Sequence, residues 1–231
     1  MKLAATLLFV GAVVATPREA FWVFAGHAAI VGTAATIGRI PFRFLARRLV
    51  IEIPFLLFAI LLPLVGRGER IDVWFLSLSR EGLWGAWNIL AKATLGAAAS
   101  IVMAATTQVG DLLLGFDRLK VPRAFTAIMG FMVRYLDVII GNLDRMRVAL
   151  RSRGYAPRWI GEARALGATA GSLFIRSYER GERVYLAMLS RGYAGSMPDP
   201  DHTAAPAAEW IGAALVAGLA AGLAAIGWIL R

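Results

Sequence analysis

Residues 134–155 have the sequence RYLDVIIGNLDRMRVALRSRGY, and residues 179–195 have the sequence ERGERVYLAMLSRGYAG. Both stretches are too charged for a helix embedded in lipid and too apolar for a loop. Both also contain Ser-Arg-Gly-Tyr, and with the alanine that follows each copy the pentapeptide Ser-Arg-Gly-Tyr-Ala occurs at 152–156 and again at 190–194, 38 residues apart. The fold depends on the side of a membrane on which these two copies lie.

The composition indicates a membrane protein. Of the 231 residues, 58% are hydrophobic and 17% are charged, and the mean hydropathy is +0.64. The net charge of +10 suits an arginine-rich cytoplasmic face beside anionic lipid. Nucleic-acid binding is disfavoured because the basic residues are separated by long apolar segments. The chain has no cysteine, which excludes disulfides and thiolate chemistry.

Five apolar segments are candidate transmembrane helices. The first, residues 1–16, could serve as a secretory signal, but the later spans favour a short first transmembrane helix. The others are residues 20–38, 49–65, 84–109 and 207–230. Between the second and third spans the chain carries four arginines and no acid, so the positive-inside rule predicts that this loop and the N-terminus are cytoplasmic. These arginines are Arg39, Arg43, Arg47 and Arg48.

Residues 125–143 look like a further span, but we predict that they do not cross. Crossing would place the ten arginines of residues 144–200 outside the cell, against the charge rule. Arg134 and Asp137 would each cost about 2.5–3.5 kcal/mol at the bilayer centre. Apolar residues also recur every three or four positions through this region, as they do in an amphipathic helix.

Two long amphipathic helices are therefore predicted on the cytoplasmic side. The first runs from Pro122 to Arg153 and the second from Glu162 to Arg191. Pro122 suits the first helical turn, while a glycine follows each helix end in the position that favours a left-handed cap.

The predicted fold is an all-α integral membrane protein with about five transmembrane helices and two cytoplasmic coupling helices. Its predicted segments are a four-span bundle at 1–110, a cytoplasmic module at 111–200 and a final transmembrane helix at 201–231. Within the module we expect the charged residues before the first long helix to form only a solvated connector. These residues are Asp111, Asp117, Arg118 and Lys120.

A single Arg-Gly helix end is usually only a stop signal, because arginine complements the helix dipole and glycine accepts the left-handed conformation. Two copies on one module favour a partner-binding site. A guanidinium pairs well with carboxylates, and tyrosine is enriched in interface hot spots. The predicted partner-binding residues are Ser152, Arg153, Gly154, Tyr155, Ser190, Arg191, Gly192 and Tyr193.

Two such helices, after four spans and before a last one, resemble the transmembrane (T) component of energy-coupling factor transporters. The two quoted stretches are most similar to its CbiQ-like branch, which is associated with cobalt or nickel uptake. The resemblance covers nearly the whole chain. Family members commonly have alanine where this chain has Ser152 and Ser190. They also often begin with an Asp-Pro-Arg segment, which we expect to be absent here or not included, since the chain starts at Met1-Lys2-Leu3.

The resemblance implies a non-catalytic scaffold in the cytoplasmic (inner) membrane of a bacterium. Its helix ends would bind two cytoplasmic ABC-type ATPases, with Arg153 and Arg191 facing acidic groups on them. Its apolar surfaces would support one separate substrate-binding membrane subunit. The cargo would be cobalt or nickel, this chain would hold no cofactor, and nucleic acid would not be a partner.

Two other functions are alternatives to this one. The first is a conventional ABC importer permease that itself lines the substrate path. Residues 162–167, EARALG, approach the Glu-Ala-Ala-x-x-x-Gly loop of that class, although the third residue is arginine and the glycine comes one position early. The second is a membrane enzyme, which is disfavoured because the sequence has no nucleophile–base pair, phosphate loop or paired intramembrane acids.

Polar residues inside the spans have structural interpretations. Glu52 follows Arg48 by one helical turn, which predicts an ion pair at the helix end. Lys92 is expected to reach the interface or pair with a neighbour. His27 and His202 are isolated from each other and from acid clusters, so they predict no metal site.

A small-residue motif occurs in the last span. Gly218 and Gly222 form a GxxxG pattern, which predicts close helix packing. We favour packing within the chain over contact with the substrate-binding subunit.

Overall fold

The computed structural model describes residues 1–66, 70–73, 76–155, 163–195 and 207–230. Within these ranges the chain forms nine α-helices, one short 3-10 turn and a two-stranded hairpin. The helical content agrees with the predicted all-α membrane class.

The chain divides into two compact units. The first comprises residues 1–115 together with 204–231, and the second comprises residues 116–203. The predicted functional boundaries at 110 and 200 remain predictions, because compactness alone does not test what each segment does.

The first unit is a helical bundle with one hairpin. A 3-10 turn, Leu49–Glu52, joins its third and fourth helices. The hairpin pairs β1 (Arg70–Val73) with β2 (Leu76–Ser79) in antiparallel register, with Val73 opposite Leu76. The helices are α1 (Lys2–Ala15), α2 (Phe21–Ile37), α3 (Phe42–Arg48), α4 (Ile53–Val65), α5 (Arg80–Thr106) and α9 (Ala207–Ile229).

Small and branched side chains fill the core of this bundle. Val13 of α1, Val23 of α2 and Ala220 of α9 are fully buried. Because alanine has a short side chain, it lets helix backbones approach closely. Such close packing holds helices together in a membrane, where the hydrophobic effect does not drive their association. The first and last helices of the chain are therefore packed against each other in one core.

Four helical segments are long and apolar enough to cross a membrane: Phe42–Val65, Arg80–Thr106, Arg123–Ser152 and Trp210–Ile229. The helices α1 and α2 are apolar but shorter. The third segment includes the charged stretch that we predicted to stay on the cytoplasmic side. It qualifies by length and composition alone, so its position relative to the membrane remains a prediction.

The second unit contains the two long helices that the sequence predicted. They are α7 (Arg123–Ser152) and α8 (Ala163–Leu189). Pro122 is the N-cap of α7 and not part of its first turn, since its ψ of 131° is extended. The predicted start of the second helix at Glu162 lies outside the described residues.

The predicted solvated connector before α7 is largely helical, and Asp111, Arg118 and Lys120 are exposed on it. Residues Val109–Arg118 make a helix, α6, which carries the chain from the first unit into the second. Its apolar residues Leu112, Leu113 and Phe116 recur at helical spacing.

Candidate partner-binding helix tips

The C-terminal end of α7 is closed by a Schellman motif. The backbone N–H of Tyr155 donates to the carbonyl of Leu150 at 3.1 Å, and the N–H of Gly154 donates to the carbonyl of Arg151 at 3.0 Å. Gly154 has a φ of +76°, a conformation that glycine adopts without steric cost. The side chain of Ser152 donates to the carbonyl of Ala149 at 3.0 Å.

The end of α8 repeats this geometry. Here Tyr193 donates to the carbonyl of Met188 at 3.1 Å and Gly192 to that of Leu189 at 3.0 Å, with a φ of +83° at the glycine. The side chain of Ser190 donates to the carbonyl three residues earlier at 3.0 Å. The predicted helix ends are thus confirmed, and one pentapeptide produces the same cap twice.

Each cap presents an arginine at its surface. Arg153 and Arg191 are exposed, and neither side chain forms an ion pair or hydrogen bond with any described residue. By contrast, Arg147, one turn and a half earlier on α7, contacts Asp144 at 3.5 Å. The two tip arginines therefore retain their full hydrogen-bonding capacity for an external carboxylate.

The two tips lie at opposite ends of the helix pair. The side chain of Ser172 on α8 lies 4.0 Å from the sulfur of Met146 on α7. The N-terminal half of α7 shares a groove with the C-terminal half of α8, so the helices run antiparallel. At about 1.5 Å per residue, the arginines can stand as much as about 40 Å apart along this pair.

The groove between α7 and α8 has a volume of about 420 Å³ and is largely apolar. Aromatic side chains from both helices line it, and one charged residue, Arg180, lies at its edge. The apolar periodicity of the sequence does not by itself define this lining, because only the packed pair shows which residues face each other. The lining residues are Ile128, Phe131, Met132, Tyr135, Ile139, Asn142, Ser177, Arg180, Gly181, Val184, Tyr185 and Met188.

The predicted ion pair between Arg48 and Glu52 is wrong. One oxygen of Glu52 accepts a hydrogen bond from the hydroxyl of Thr94 at 2.9 Å, and the Arg48 guanidinium lies 4.6 Å from the centre of the Phe44 ring. The intervening 3-10 turn explains the difference. With three residues per turn instead of 3.6, it rotates Glu52 away from the side of the helix that carries Arg48.

Lys92 does pair with a neighbour, as the sequence predicted, but the partner is backbone. Its ammonium group donates to the carbonyl of Val14 at 2.7 Å. The indole of Trp228 donates to the carbonyl of Ala15 at 2.8 Å. These two bonds satisfy carbonyls that the last turn of α1 cannot pair internally. We call this pair of contacts the α1 clasp.

The histidines do not form a metal site in the part of the chain that the structure describes. His27 is fully buried, with Nδ1 at 2.9 Å from the carbonyl of Val23 and its ring edge-on to Phe9. No group of three metal-ligating side chains occurs among the described residues. His202 lies outside them.

The predicted internal packing of the GxxxG motif is wrong. Gly218 and Gly222 are exposed, and a Cβ added at either would meet no described atom within 4 Å. The opposite face of α9 packs instead, through Ala220, Ala224 and Gly227. Both faces of this helix are small, so the sequence could not tell which one the neighbouring helices cover.

The long apolar helices and the paired, capped amphipathic helices define a multi-pass helical membrane protein. The chain belongs to the CbiQ family, described as cobalt transport protein, whose model matches residues 1–201. The resemblance identified from the two capped helices is thereby confirmed at the level of the family.

Three curated relatives extend this comparison. The chain is 28% identical over 149 residues to a "putative fused cobalt transport protein CbiMQ" of Methanocorpusculum labreanum, which covers 62% of the chain and 25% of the relative. It is 32% identical over 102 residues to the uncharacterized protein MJ1089 of Methanocaldococcus jannaschii, over 44% of the chain and 38% of the relative. It is 29% identical over 127 residues to MJ1571 of the same organism, over 53% and 42%. The matched region thus spans between a quarter and about two fifths of these relatives.

Proposed function

We propose that this chain is the energy-coupling membrane scaffold of an energy-coupling factor importer, and that the cargo is cobalt. It links two cytoplasmic ATPases to a separate substrate-binding membrane subunit and has no catalytic activity of its own. The observation that carries this proposal is the pair of identical caps, each with an exposed arginine whose side chain has no partner among the described residues.

The caps suit two copies of one partner. Arg153 and Arg191 are presented by the same backbone geometry, so two identical acidic grooves can each receive one tip. The antiparallel helix pair separates the tips, which allows two ATPase subunits to bind without overlapping. This supports a ratio of one scaffold to two ATPases.

The substrate-binding subunit is proposed to cover the apolar surfaces of the second unit. Large apolar side chains on α7 are exposed, including Phe125 at 62% and Met132 at 65%. Exposed apolar area of this kind marks contact with lipid or with another protein. A hydrophobic membrane subunit resting on the groove and on this stripe would remove both from water.

Charge distribution in the first unit supports a cytoplasmic location for the loop before α4. Lys2 donates to the carbonyl of Thr106 at 3.1 Å, and Gly38, next to Arg39, is close to the same threonine. This end of the bundle is strongly basic. The opposite end is balanced, since Arg18 pairs with Glu81 at 2.9 Å. The positive-inside rule then favours the basic end on the cytoplasmic side.

Energy would be transmitted mechanically. Closure of the two ATPases on ATP would change the distance between their grooves, and therefore between the two tips. With its 30 residues, α7 is about 45 Å long and can transmit displacement of its tip to the groove without bending sharply. The scaffold thereby couples nucleotide state to the substrate-binding subunit.

Cobalt as the cargo is supported by the family and by the relative described as a fused cobalt transport protein. The described residues of this chain hold no cluster of metal ligands. We therefore assign selection of the metal ion to the separate membrane subunit.

The test is substitution of both tip arginines in the assembled complex. Losing one partner of a close charge pair at an interface costs about 2–5 kcal/mol, so Arg153→Ala with Arg191→Ala should abolish ATPase co-purification and cobalt uptake. Arg147→Ala, which removes an arginine that already has an acid partner on its own helix, is the matched control and should leave both intact. Wild-type uptake in the double variant would refute the proposal, and two copies of this chain per two ATPases would favour the permease.

A further inference from the structure

The short helix α3 carries a basic surface that coupling to ATPases does not use. Four arginines occur within the ten residues 39–48, and no acidic residue occurs between Glu19 and Glu52. We define the α3 surface as Arg39, Arg43, Arg47, Arg48 and the exposed ring of Phe42. It lies wholly within the first compact unit.

The core fixes the direction in which this surface faces. Leu45 is buried and belongs to the same apolar cluster as Ala35 and Val102. At about 100° per residue, Arg43 and Arg47 fall on the opposite side of α3 from Leu45. Both guanidinium groups are therefore directed away from the bundle.

The positive charges of the α3 surface have no counterion within the described chain. None of the four arginine side chains forms an ion pair or hydrogen bond with a described residue; the Arg48 guanidinium lies over the Phe44 ring. Arg43 and Arg47 are separated by four positions on one helix, a like-charge arrangement that costs a few tenths of a kcal/mol. Such an arrangement is stable where an external anion offsets the repulsion.

The turn before α3 holds the first arginine in a constrained position. Arg39 has a φ of +53°, which is unfavourable for a residue with a side chain. It occupies the C′ position of a Schellman motif, in which Arg39 donates to the carbonyl of Thr36 at 3.0 Å and Ile40 donates to that of Ala35 at 2.9 Å. The four arginines are thus presented by a fixed corner and not by a loose loop.

The length of the following helix indicates the depth of α3 in a membrane. The 3-10 turn Leu49–Glu52 and α4 together extend about 27 Å, close to the roughly 30 Å of a hydrocarbon core. When this segment spans the core, α3 lies at the level of the lipid headgroups. The ring of Phe42, which is 79% exposed, can then enter the acyl boundary while the arginines reach phosphate.

We propose that the α3 surface is a binding site for the phosphate groups of anionic phospholipids. Arginine binds phosphate through two parallel N–H donors, and a basic residue at an anionic membrane surface contributes about 1 kcal/mol. The site anchors the corner between α2 and α4 in the headgroup layer. It requires neither the ATPases nor the substrate-binding subunit.

The test measures lipid preference of the purified full chain. Native mass spectrometry of protein released from nanodiscs of equal phosphatidylglycerol and phosphatidylcholine gives the ratio of the two lipids retained. We expect the wild type to prefer phosphatidylglycerol and Arg43→Gln with Arg47→Gln to reduce that preference about 25-fold, or roughly fivefold per arginine. Raising the salt concentration from 0.05 to 0.5 M should reduce the wild-type preference, since salt screens exposed charges.

Two further variants separate charge from folding. Arg43→Lys with Arg47→Lys keeps the charge and should keep most of the preference, while Arg147→Gln on α7 should not change it. If the glutamine variant does not fold, the lysine variant and the wild-type salt dependence still decide the matter. A wild type without lipid preference would overturn the proposal. So would a glutamine variant that keeps the lipid ratio but loses a protein subunit from the intact complex, because the surface would then be a protein-docking site.

Discussion

Replacing Gly154 by alanine tests whether the cap geometry itself is needed for partner binding. The glycine has a φ of +76°, and a Cβ at this position would meet no described atom within 4 Å. The substitution therefore introduces no clash, and its whole cost is the left-handed backbone of a residue with a side chain. That cost is about 1–2 kcal/mol.

This backbone cost of about 1–2 kcal/mol falls on the cap of α7 alone. The last turn of α7 is closed by the backbone bonds from Gly154 to Arg151 and from Tyr155 to Leu150. We expect the Gly154→Ala variant to unwind its cap in a large fraction of molecules, which redirects Arg153. If binding requires the capped form, the affinity for the ATPase falls about 5- to 30-fold for this tip.

The assay is a titration of purified ATPase against the immobilised, detergent-solubilised chain carrying each variant. Binding of Gly154→Asn is compared with that of Gly154→Ala, because asparagine tolerates the left-handed conformation far better than alanine. Gly130→Ala, in the middle of α7 with open space around it, is the matched control for replacing a glycine. The expected order of affinity is wild type, then asparagine, then alanine, with the Gly130 variant equal to wild type.

The reasoning fails if the alanine variant binds as tightly as the wild type. It also fails if asparagine and alanine reduce binding equally, because the effect would then come from bulk at the interface and not from backbone conformation. Circular dichroism of the two variants would show similar helix content in either case, since only one turn is involved.

Three other outcomes are expected. Because the natural chain has no cysteine, Ser152→Cys should react with a membrane-impermeant maleimide in inside-out vesicles only, and reaction in intact cells would refute the cytoplasmic placement of the tips. Trp228→Phe removes a hydrogen bond to the end of α1 and should lower the free energy of unfolding by about 1 kcal/mol, seen as a lower melting temperature in detergent. Gly82→Ala would place a Cβ 2.7 Å from the Cα of Pro63 and should destabilise by about 1–3 kcal/mol, whereas Gly96→Ala in the same helix should not; equal melting temperatures would contradict this.

The long helices of the second unit were predictable because their signals agree with one another. An apolar stripe runs the length of α7, and a proline and a glycine bracket it, so the predicted range 122–153 differs from the observed Arg123–Ser152 by one residue at each end. The caps were predictable for the same reason, since Gly154 and Gly192 supply a conformation that few other residues accept.

Other features depend on contacts that sequence spacing does not encode. Glu52 accepts a hydrogen bond from Thr94, which lies 42 residues away in the sequence. The 3-10 turn that orients Glu52 is not predicted by any residue type within it. We predicted that the GxxxG face of α9 packs within the chain, but the opposite face does so. Ala220 and its neighbours make that opposite face equally small, so side-chain size does not distinguish the two faces. Lys92 was predicted to pair with a neighbour or reach the interface. Its partner is the carbonyl of Val14 in the first helix, 78 positions earlier, and sequence spacing does not show that the two helices meet there.

The α1 clasp has a consequence for the order of events during biosynthesis. Trp228 and Ala15 are 213 positions apart, so the first helix leaves the ribosome long before its last partner exists. At about 5–20 residues per second, this delay is roughly 10–40 s. During this interval a nascent α1 lacks the hydrogen bond from Trp228 at its C-terminal end. A chain truncated before α9 would keep the carbonyl of Ala15 without this partner and would lack Ala220 in the core.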